Sequence, residues 1–483
     1  MHMQKNKKFN FDYSYLSLPN QFYSITKTNT FPKPKVILLN KNLCSSINLI
    51  IKNHEDLIKL LFTKDKKIKS FSQAYAGHQF GYFTKLGDGR AVILGEHKSI
   101  DKQKVDIQVK GSGKTPYSRN GDGKATLKSM LREYLISEAI HYLNIPTSRS
   151  LAVLETGETI QRQTLEEGGI LIRVMKSHIR VGTFEYASYF CSEENLKSLA
   201  SYTINRLYPE INDYENPSLI LLTKVMEKQI DLIINWMRVG FIHGVMNTDN
   251  TSVSGETFDY GPCAFINEFN TDTTYSSIDH NKRYSFGNQA RIIKWNISRF
   301  AESLLPIIHK NKEKALQLAQ DIIDSFDDLW ERKYYGMMLN KIGIETNNKI
   351  SYPLVDRLLH LMKKNRADYN NTFLSLTKNN LSNNELNNDF EYIRWKKEWK
   401  KNINTKTKTH IAKNLMKTNN PVIIPRNHIV ENAIEEASNG NMNSFQKLLK
   451  IIKKPYGYQE KLISYMKPPS SDFEKKYKTY CGT

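Results

Sequence analysis

Four polar residues, Lys110, Glu133, Asn250 and Asp259, stand in the order and types that hold a metal ion and a phosphate chain. An Asn carbonyl oxygen and an Asp carboxylate are hard ligands that suit magnesium and leave positions open for phosphate oxygens. Lys110 ends an apolar run, Val105 to Val109, and Glu133 falls within the next helical pattern. A lysine held by such a carboxylate presents a fixed positive charge to phosphate. Arg173 and Arg180 flank Met175 to His178, and guanidinium forks match phosphate oxygens. Two glycine-rich stretches, Gly87-Asp88-Gly89-Arg90 and Gly111 to Gly123, would let backbone N–H groups approach an anion. Taken singly, each has a plainer reading: a solvated strand end, a surface helix residue, surface salt bridges, ordinary turns. For Lys110 and Glu133, taken together with Asn250 and Asp259 and in order, the plainer readings become the weaker ones; for the arginines and the glycine stretches in isolation, surface salt bridges and turns remain the better reading.

The order is that of a protein kinase, H-R-D-x-x-x-x-N followed by D-F-G. His243-Gly244-Val245-Met246-Asn247-Thr248-Asp249-Asn250 puts a His at the start and an Asn seven residues on; Asp259-Tyr260-Gly261 follows. Val245 occupies the place of the catalytic Asp and can neither accept a proton nor orient a hydroxyl. A carboxylate reappears at Asp249. Either phosphotransfer has been lost, or the base moved because the reacting phosphate moved. Gly113-Lys114-Thr115 imitates a P-loop end, but Gln108 stands where the earlier glycine is required. His78, in Tyr75-Ala-Gly-His-Gln-Phe-Gly81, is expected to be a loop histidine with a structural hydrogen bond.

These residues need elements to position them. The first 65 or so residues, punctuated by Pro and Asn, are expected to form an irregular extension. Runs at 91–94, 105–109, 150–154 and 169–174 have the length and β-branching of strands. The spacing of Leu127, Leu131, Tyr134, Leu135, Glu138 and Tyr142 predicts a helix over 126–143, stopped by Asn144-Ile145-Pro146. Helical patterns follow at 198–207, 219–239, 290–305 and 316–339; the stretch 240–287 is irregular, 370–388 reads as a polar linker, and the remainder is helical. The expected fold class is α+β: an extension (1–65), a β-rich lobe (66–185), a helical lobe carrying the metal-binding loops (186–345) and a C-terminal helical region with a tail (346–483).

Composition narrows the class. A chain of 483 residues with 39% apolar residues has material for substantial cores. No apolar run approaches a membrane span, and no apolar segment follows the basic stretch Met1 to Lys8, so neither membrane nor secretory signal is expected. The net charge of +21 is spread through Lys/Asn/Ile-rich sequence without a basic stripe interleaved with aromatics, which argues against a nucleic-acid partner. Cys44, Cys191, Cys263 and Cys481 are widely spaced, against a structural zinc site or a disulfide framework. A reducing cytoplasm fits.

At this level of detail the chain resembles the selenoprotein O family of protein adenylyltransferases, which have a protein-kinase-like, two-lobed pseudokinase fold. The matching stretches are 75–81, Leu86-Gly-Asp-Gly-Arg90, Gln108-Val-Lys-Gly-Ser-Gly113, Thr115-Pro-Tyr-Ser-Arg119, Gly121-Asp-Gly123, Leu131-Arg-Glu-Tyr134, Arg173-Val174, Arg180-Val-Gly-Thr-Phe-Glu185, 243–250, Asp259-Tyr-Gly-Pro262 and Tyr480-Cys-Gly-Thr483. The resemblance implies ATP bound in a flipped orientation, with AMP transferred to protein Ser, Thr or Tyr hydroxyls. It further implies that Gly87, Gly89, Arg90, Asp122 and Gly123 contact the nucleotide, that Lys110 binds phosphate and pairs with Glu133, and that Arg173 and Arg180 hold the outer phosphates. Asn250 and Asp259 would bind Mg2+ or Mn2+, and Asp249 would accept the proton. Under this resemblance the partners are protein substrates, the chain is a monomer of the bacterial cytoplasm, and UTP is the alternative donor. A true kinase and a non-catalytic scaffold are the rival readings. Bacterial relatives often carry a cysteine in the loop after Asp-Tyr-Gly that pairs with the tail cysteine. The matching stretch 274–280 has none, which counts against a redox lock with Cys481 unless Cys263 substitutes.

Overall fold

The computed structural model describes residues 9–479 apart from 63–67, 100–102, 346–347, 379–384, 404–405, 458 and 460–461. Met1 to Lys8, Cys481 with its expected redox role, and the rest of the tail 480–483 lie outside these.

A nine-stranded antiparallel sheet is the scaffold of the N-terminal part. Its strands are β1 (Phe11–Asp12), β2 (Tyr23–Ile25), β3 (Lys35–Leu39), β4 (Phe71–Gln79), β5 (Tyr82–Gly87), β6 (Ala91–Lys98), β7 (Lys104–Lys110), β8 (Arg149–Gln161) and β9 (Leu165–Met175). They run in the order β2-β4-β6-β7-β9-β8-β3, with β1 on β6 and β5 on β4. The two-residue side-chain period divides two cores across this sheet. Ile107, Val109, Ile170, Ile172 and Val174 face a smaller core shared with α1 (Lys41–Ser46) and α2 (His54–Phe62). Leu171 faces the main core with α3 (Leu127–Tyr142). Gln108 and Lys110 on β7 and Arg173 on β9 therefore share the α3 face.

Helices build the rest: α4 (Val181–Phe190), α5 (Glu193–Leu207), α6 (Pro217–Val239), α7 (Gln289–Ile308), α8 (Lys312–Asp324), α9 (Phe326–Lys341), α10 (Tyr352–Lys364), α11 (Tyr369–Thr377), α12 (Phe390–Ile403), α13 (Lys406–Asn419), α14 (Asn427–Ser438) and α15 (Asn443–Ile452). Between α6 and α7 lies the irregular stretch. It is pinned by a short pair, β10 (Phe241–Ile242) with β11 (Ala264–Phe265), and by a 3-10 turn at Thr248–Asn250. Among the described residues no helix is long and apolar enough to cross a membrane.

Three expectations are corrected. The described residues 9–62 are not an irregular extension: β1, β2 and β3 join the sheet, and their short runs are below what periodicity resolves. The helix expected over 316–339 is two helices, broken at Ser325, whose hydroxyl bonds back to the Ile322 carbonyl at 2.7 Å. Within the expected linker, α11 is a buried helix capped by Asp368, and Asn370 donates to the Pro421 carbonyl at 3.0 Å. Asparagines that donate to backbone carbonyls of other segments gave that helix a polar composition.

Toward the C-terminus, α14 braces α3. Lys128 meets Glu435 at 2.5 Å, and Arg132 pairs with Glu431. Arg132 also donates to the Cys263 carbonyl at 2.7 Å and to the Tyr477 hydroxyl at 3.1 Å. Thr479 pairs with the loop after Asp-Tyr-Gly, its N–H reaching the Tyr275 carbonyl at 2.8 Å and its hydroxyl the Pro262 carbonyl at 2.8 Å.

Candidate active site

Strand register and one helix bring four charges together. Gln108 and Arg173 are cross-strand neighbours, as are Lys110 and Leu171, and α3 lies over them. Lys110 Nζ lies 2.7 Å from Glu133 Oε2, while Arg173 grips Glu133 Oε1 with Nε at 2.9 Å and with its terminal nitrogen. Arg173 also donates to Gln108 Oε1 at 3.0 Å and to Asp259 Oδ1 at 3.1 Å. Lys110 Nζ closes the group on the same Asp259 oxygen. Glu133 and Arg173 are buried, against the plainer surface readings available for each from sequence alone. Burial on its own would raise the Glu133 carboxyl, but the adjoining Arg173 and Lys110 charges hold it below its usual value. Asp259 is likewise held well below the carboxylate range: its burial is outweighed by Lys110, Arg173 and Arg90. Its backbone is left-handed, with φ of 62°, a conformation uncommon outside glycine and frequent at functional positions.

A second group surrounds Asp249. Arg180, buried, donates to the Asp249 carbonyl at 3.2 Å, stacks on Tyr75 at 4.0 Å and lies 3.6 Å from Asp88 Oδ1. Asp249 receives only a long contact, 3.4 Å, from Gln79 Nε2 to Oδ2; among the described residues its buried Oδ1 has no hydrogen-bond partner. Burial raises this carboxyl to about 6. The carboxylate fits because β4 has a glycine facing it: a Cβ on Gly77 would lie 2.7 Å from Asp249 Oδ1.

Asn250 donates through Nδ2 to the Val245 carbonyl at 3.1 Å, a bond that does not use its own carbonyl oxygen. His243 Nε2 contacts the Phe258 carbonyl at 2.9 Å and so ties the start of the loop to the residue before Asp259. An Asn carbonyl oxygen and an Asp carboxylate are of the hard-oxygen type that a magnesium ion takes. Among the described residues no group of three His, Cys, Asp or Glu side chains could hold a metal by protein ligands alone. The donor set fits an ion shared with phosphate oxygens.

The glycine loops pack against each other. Thr115 Oγ1 donates to the Asp88 carbonyl at 2.7 Å, and the Gly111 N–H to the Arg90 carbonyl at 2.8 Å. A Cβ on Gly87 would lie 2.3 Å from the Tyr117 ring, and one on Gly89 2.9 Å from the Tyr117 carbonyl. Gly123, at φ of 70°, sits where a Cβ would be 2.1 Å from the Gly113 carbonyl. Asp122 is apart: it accepts two bonds from Arg162 at 2.9 and 3.1 Å, and no described contact joins it to the Lys110 group. Arg90 acts on Asp259 electrostatically.

Such an arrangement can neutralise a polyphosphate with Lys110, Arg173 and Arg180 and offer a raised carboxyl at Asp249 as proton acceptor. Residues 5–453 match the model of the family described as protein adenylyltransferase SelO. This chain belongs to the SelO family. Proteins named protein nucleotidyltransferase YdiU are similar throughout. The one from Pelagibacter ubique is 46% identical over 481 residues, covering 98% of this chain and 99% of the relative. Those from Brevibacillus brevis and Clostridium perfringens are 46% and 45% identical, with at least 98% of each chain covered. As a SelO family member the chain is an enzyme, a nucleotidyltransferase.

Sequence reasoning gave no role to several residues of the SelO site. Gln108 anchors Arg173, Asp88 faces Arg180, Gly77 makes room for Asp249, and Gln79 contacts it. His78, expected on a loop, is on β4 and contacts Glu185 Oε1 at 2.5 Å. A signal was present for Glu185: it is a lone carboxylate in the otherwise uncharged helix Val181–Phe190.

Proposed function

We propose that this enzyme has a kinase-like two-lobed architecture and transfers AMP from ATP to Ser, Thr or Tyr hydroxyls of protein substrates, releasing pyrophosphate. The observation that carries the reading is the placement of the two carboxylates. Asp259 is engaged by Lys110 and Arg173, while Asp249, not Val245, offers a buried carboxylate oxygen without a partner among the described residues. The names of the similar proteins, protein nucleotidyltransferase and protein adenylyltransferase, point to protein acceptors.

The acceptor O–H loses its proton to Asp249 as its oxygen bonds to the α-phosphorus; the bond from that phosphorus to the bridging oxygen breaks, and pyrophosphate leaves with the electron pair. Lys110, fixed by Glu133, and the two arginines counter the charge on the phosphates, so catalysis is positioning and electrostatics. A divalent cation, Mg2+ or Mn2+, held by Asn250 and Asp259, would supply further charge neutralisation at the phosphates. Gly87, Gly89, Arg90, Asp122 and Gly123 complete the nucleotide contacts, Asp122 from a loop away from the charged group. UTP is the second reading for the donor, because "nucleotidyltransferase" leaves the base open.

The test compares ATP labelled at the α- and at the γ-phosphate, with UTP alongside, for the wild type and Asp259→Ala. Label from the α-phosphate only, lost in the variant, is expected. Label from the γ-phosphate would make the protein a kinase; no label with ATP bound would make it a scaffold.

A further inference from the structure

The Asp249 carboxylate is loosely held by its own bonds, so something else must fix it. Its backbone neighbour Thr248 is held tightly. Thr248 Oγ1 donates to Glu185 Oε2 at 2.5 Å and accepts from the His78 backbone N–H at 2.7 Å. Glu185 Oε1 in turn meets His78 Nδ1 at 2.5 Å. Strand β4, helix α4 and the 248–250 turn are thus joined through three side chains in a closed ring. The Glu185 side chain is 1% exposed and that of His78 13%. The next residues repeat the link: the Phe80 N–H donates to Asn247 Oδ1 at 3.1 Å, and the Tyr284 hydroxyl to the same oxygen at 2.5 Å.

We infer that His78, Glu185 and Thr248 form a buried latch whose role is to position Asp249 against Gly77 with one carboxylate oxygen free for the acceptor hydroxyl. The inference rests on the adenylyl-transfer reading and deepens it. None of the three touches the Lys110 group; what the latch holds is the turn that carries Asp249. Burial raises the Glu185 carboxyl to about 7 and lowers the His78 imidazole from its usual value. The other charges facing the pair are Arg299 and Glu302 on α7, and Arg283. A carboxyl with no guanidinium or ammonium bonded to it, kept in the interior beside a histidine, is a costly way to pack a helix. Its return is a rigid turn. These are positioning residues; Asp249 is the group that meets substrate.

The experiment measures α-labelled AMP transfer from ATP to heat-denatured total bacterial protein, together with ATP affinity, on the full chain. Thr248→Val and Glu185→Leu should lower the transfer rate at saturating ATP at least tenfold, with the ATP Kd within threefold of wild type. Thr248→Ser and Glu185→Gln, which keep the hydroxyl and a hydrogen-bonding head group, should stay within threefold on both. Thr248→Val carries the test if Glu185→Leu does not fold. A wild-type rate in Thr248→Val, or a rate and an affinity that fall together, would overturn the latch. Glu185→Gln as inactive as Glu185→Leu would also overturn it, by assigning Glu185 a proton-transfer role. Asp249→Asn runs beside them: full activity there would remove the proton acceptor itself, a failure separable from that of the latch.

Discussion

Gly77 on β4 and Asp249 in the 248–250 turn are in direct contact, so close that a methyl group on Gly77 would stand 2.7 Å from Asp249 Oδ1 and 2.9 Å from its Cβ. Real side-chain contacts do not come that near, so Gly77→Ala must move the carboxylate. The variant is expected to lose at least tenfold in transfer rate while binding ATP within threefold of wild type. A steady-state assay beside calorimetric titration with ATP checks this. Unchanged turnover would mean that the position of Asp249 does not matter.

Lys110 and Arg173 share Glu133, but not equally. Lys110→Met leaves Glu133 gripped by Arg173, so the fold should survive while transfer falls by about 100-fold or more. Arg173→Met strips Gln108 and Asp259 of a donor as well, and uncouples a buried carboxylate. Losing one partner of a buried pair costs about 3–5 kcal/mol. Urea unfolding should therefore rank Arg173→Met well below Lys110→Met in stability.

Chelation should stop transfer, and added Mg2+ or Mn2+ should restore it. Asn250→Ala, which removes one ligand and leaves Asp259, should shift the metal concentration for half-maximal rate upward by about tenfold, an estimate drawn from typical losses on weakening a metal site. Metal titration of the rate, wild type against variant, measures the shift.

Glu256 tests pH linkage away from the reaction centre. Its carboxyl is buried, accepts from the Lys176 N–H at 3.0 Å and the Ser254 hydroxyl at 2.8 Å through one oxygen, and is raised from 4.5 to about 7 by burial. A raised acid is protonated in the folded chain when it would be ionised in the unfolded one. Its contribution to stability is therefore full below about 4.5 and is lost as pH rises through about 7. Glu256→Gln keeps an acceptor oxygen and removes the ionisation, so it should raise Tm at pH 8 relative to wild type and do little at pH 5. Thermal melts at the two pH values decide; an equal shift at both would refute the linkage.

Much of the site was legible because its chemistry is carried by residue types at fixed spacing. Asn250 and Asp259 follow His243 in a pattern that few other functions require, and Lys110 closes a β-branched run. Less legible was anything decided by tertiary contact. Arg173 looks like a surface residue until β7 and β9 are set side by side, and Glu133 until α3 is laid across them. Gly77 gives no sign in sequence that it faces a carboxylate. Asp122 carries a motif glycine beside it, yet the fold commits it to Arg162. At the level of elements, long periodic helices such as α6 were plain, whereas the two- to five-residue strands β1–β3 were too short to declare themselves. Helix α11 was hidden by asparagines that donate to carbonyls of other segments.

The brace between α14 and α3 has a consequence in time. Arg132 and Glu431 are 299 positions apart, and the residue after Arg132 is the carboxylate that fixes Lys110. During synthesis from the N-terminus, the sheet and α3 emerge first and the helix that steadies them emerges near the end. A ribosome-bound chain has the residues of the sheet and α3 long before it has the helix that braces α3. Until residue 431 has been added, Arg132 stands without this carboxylate.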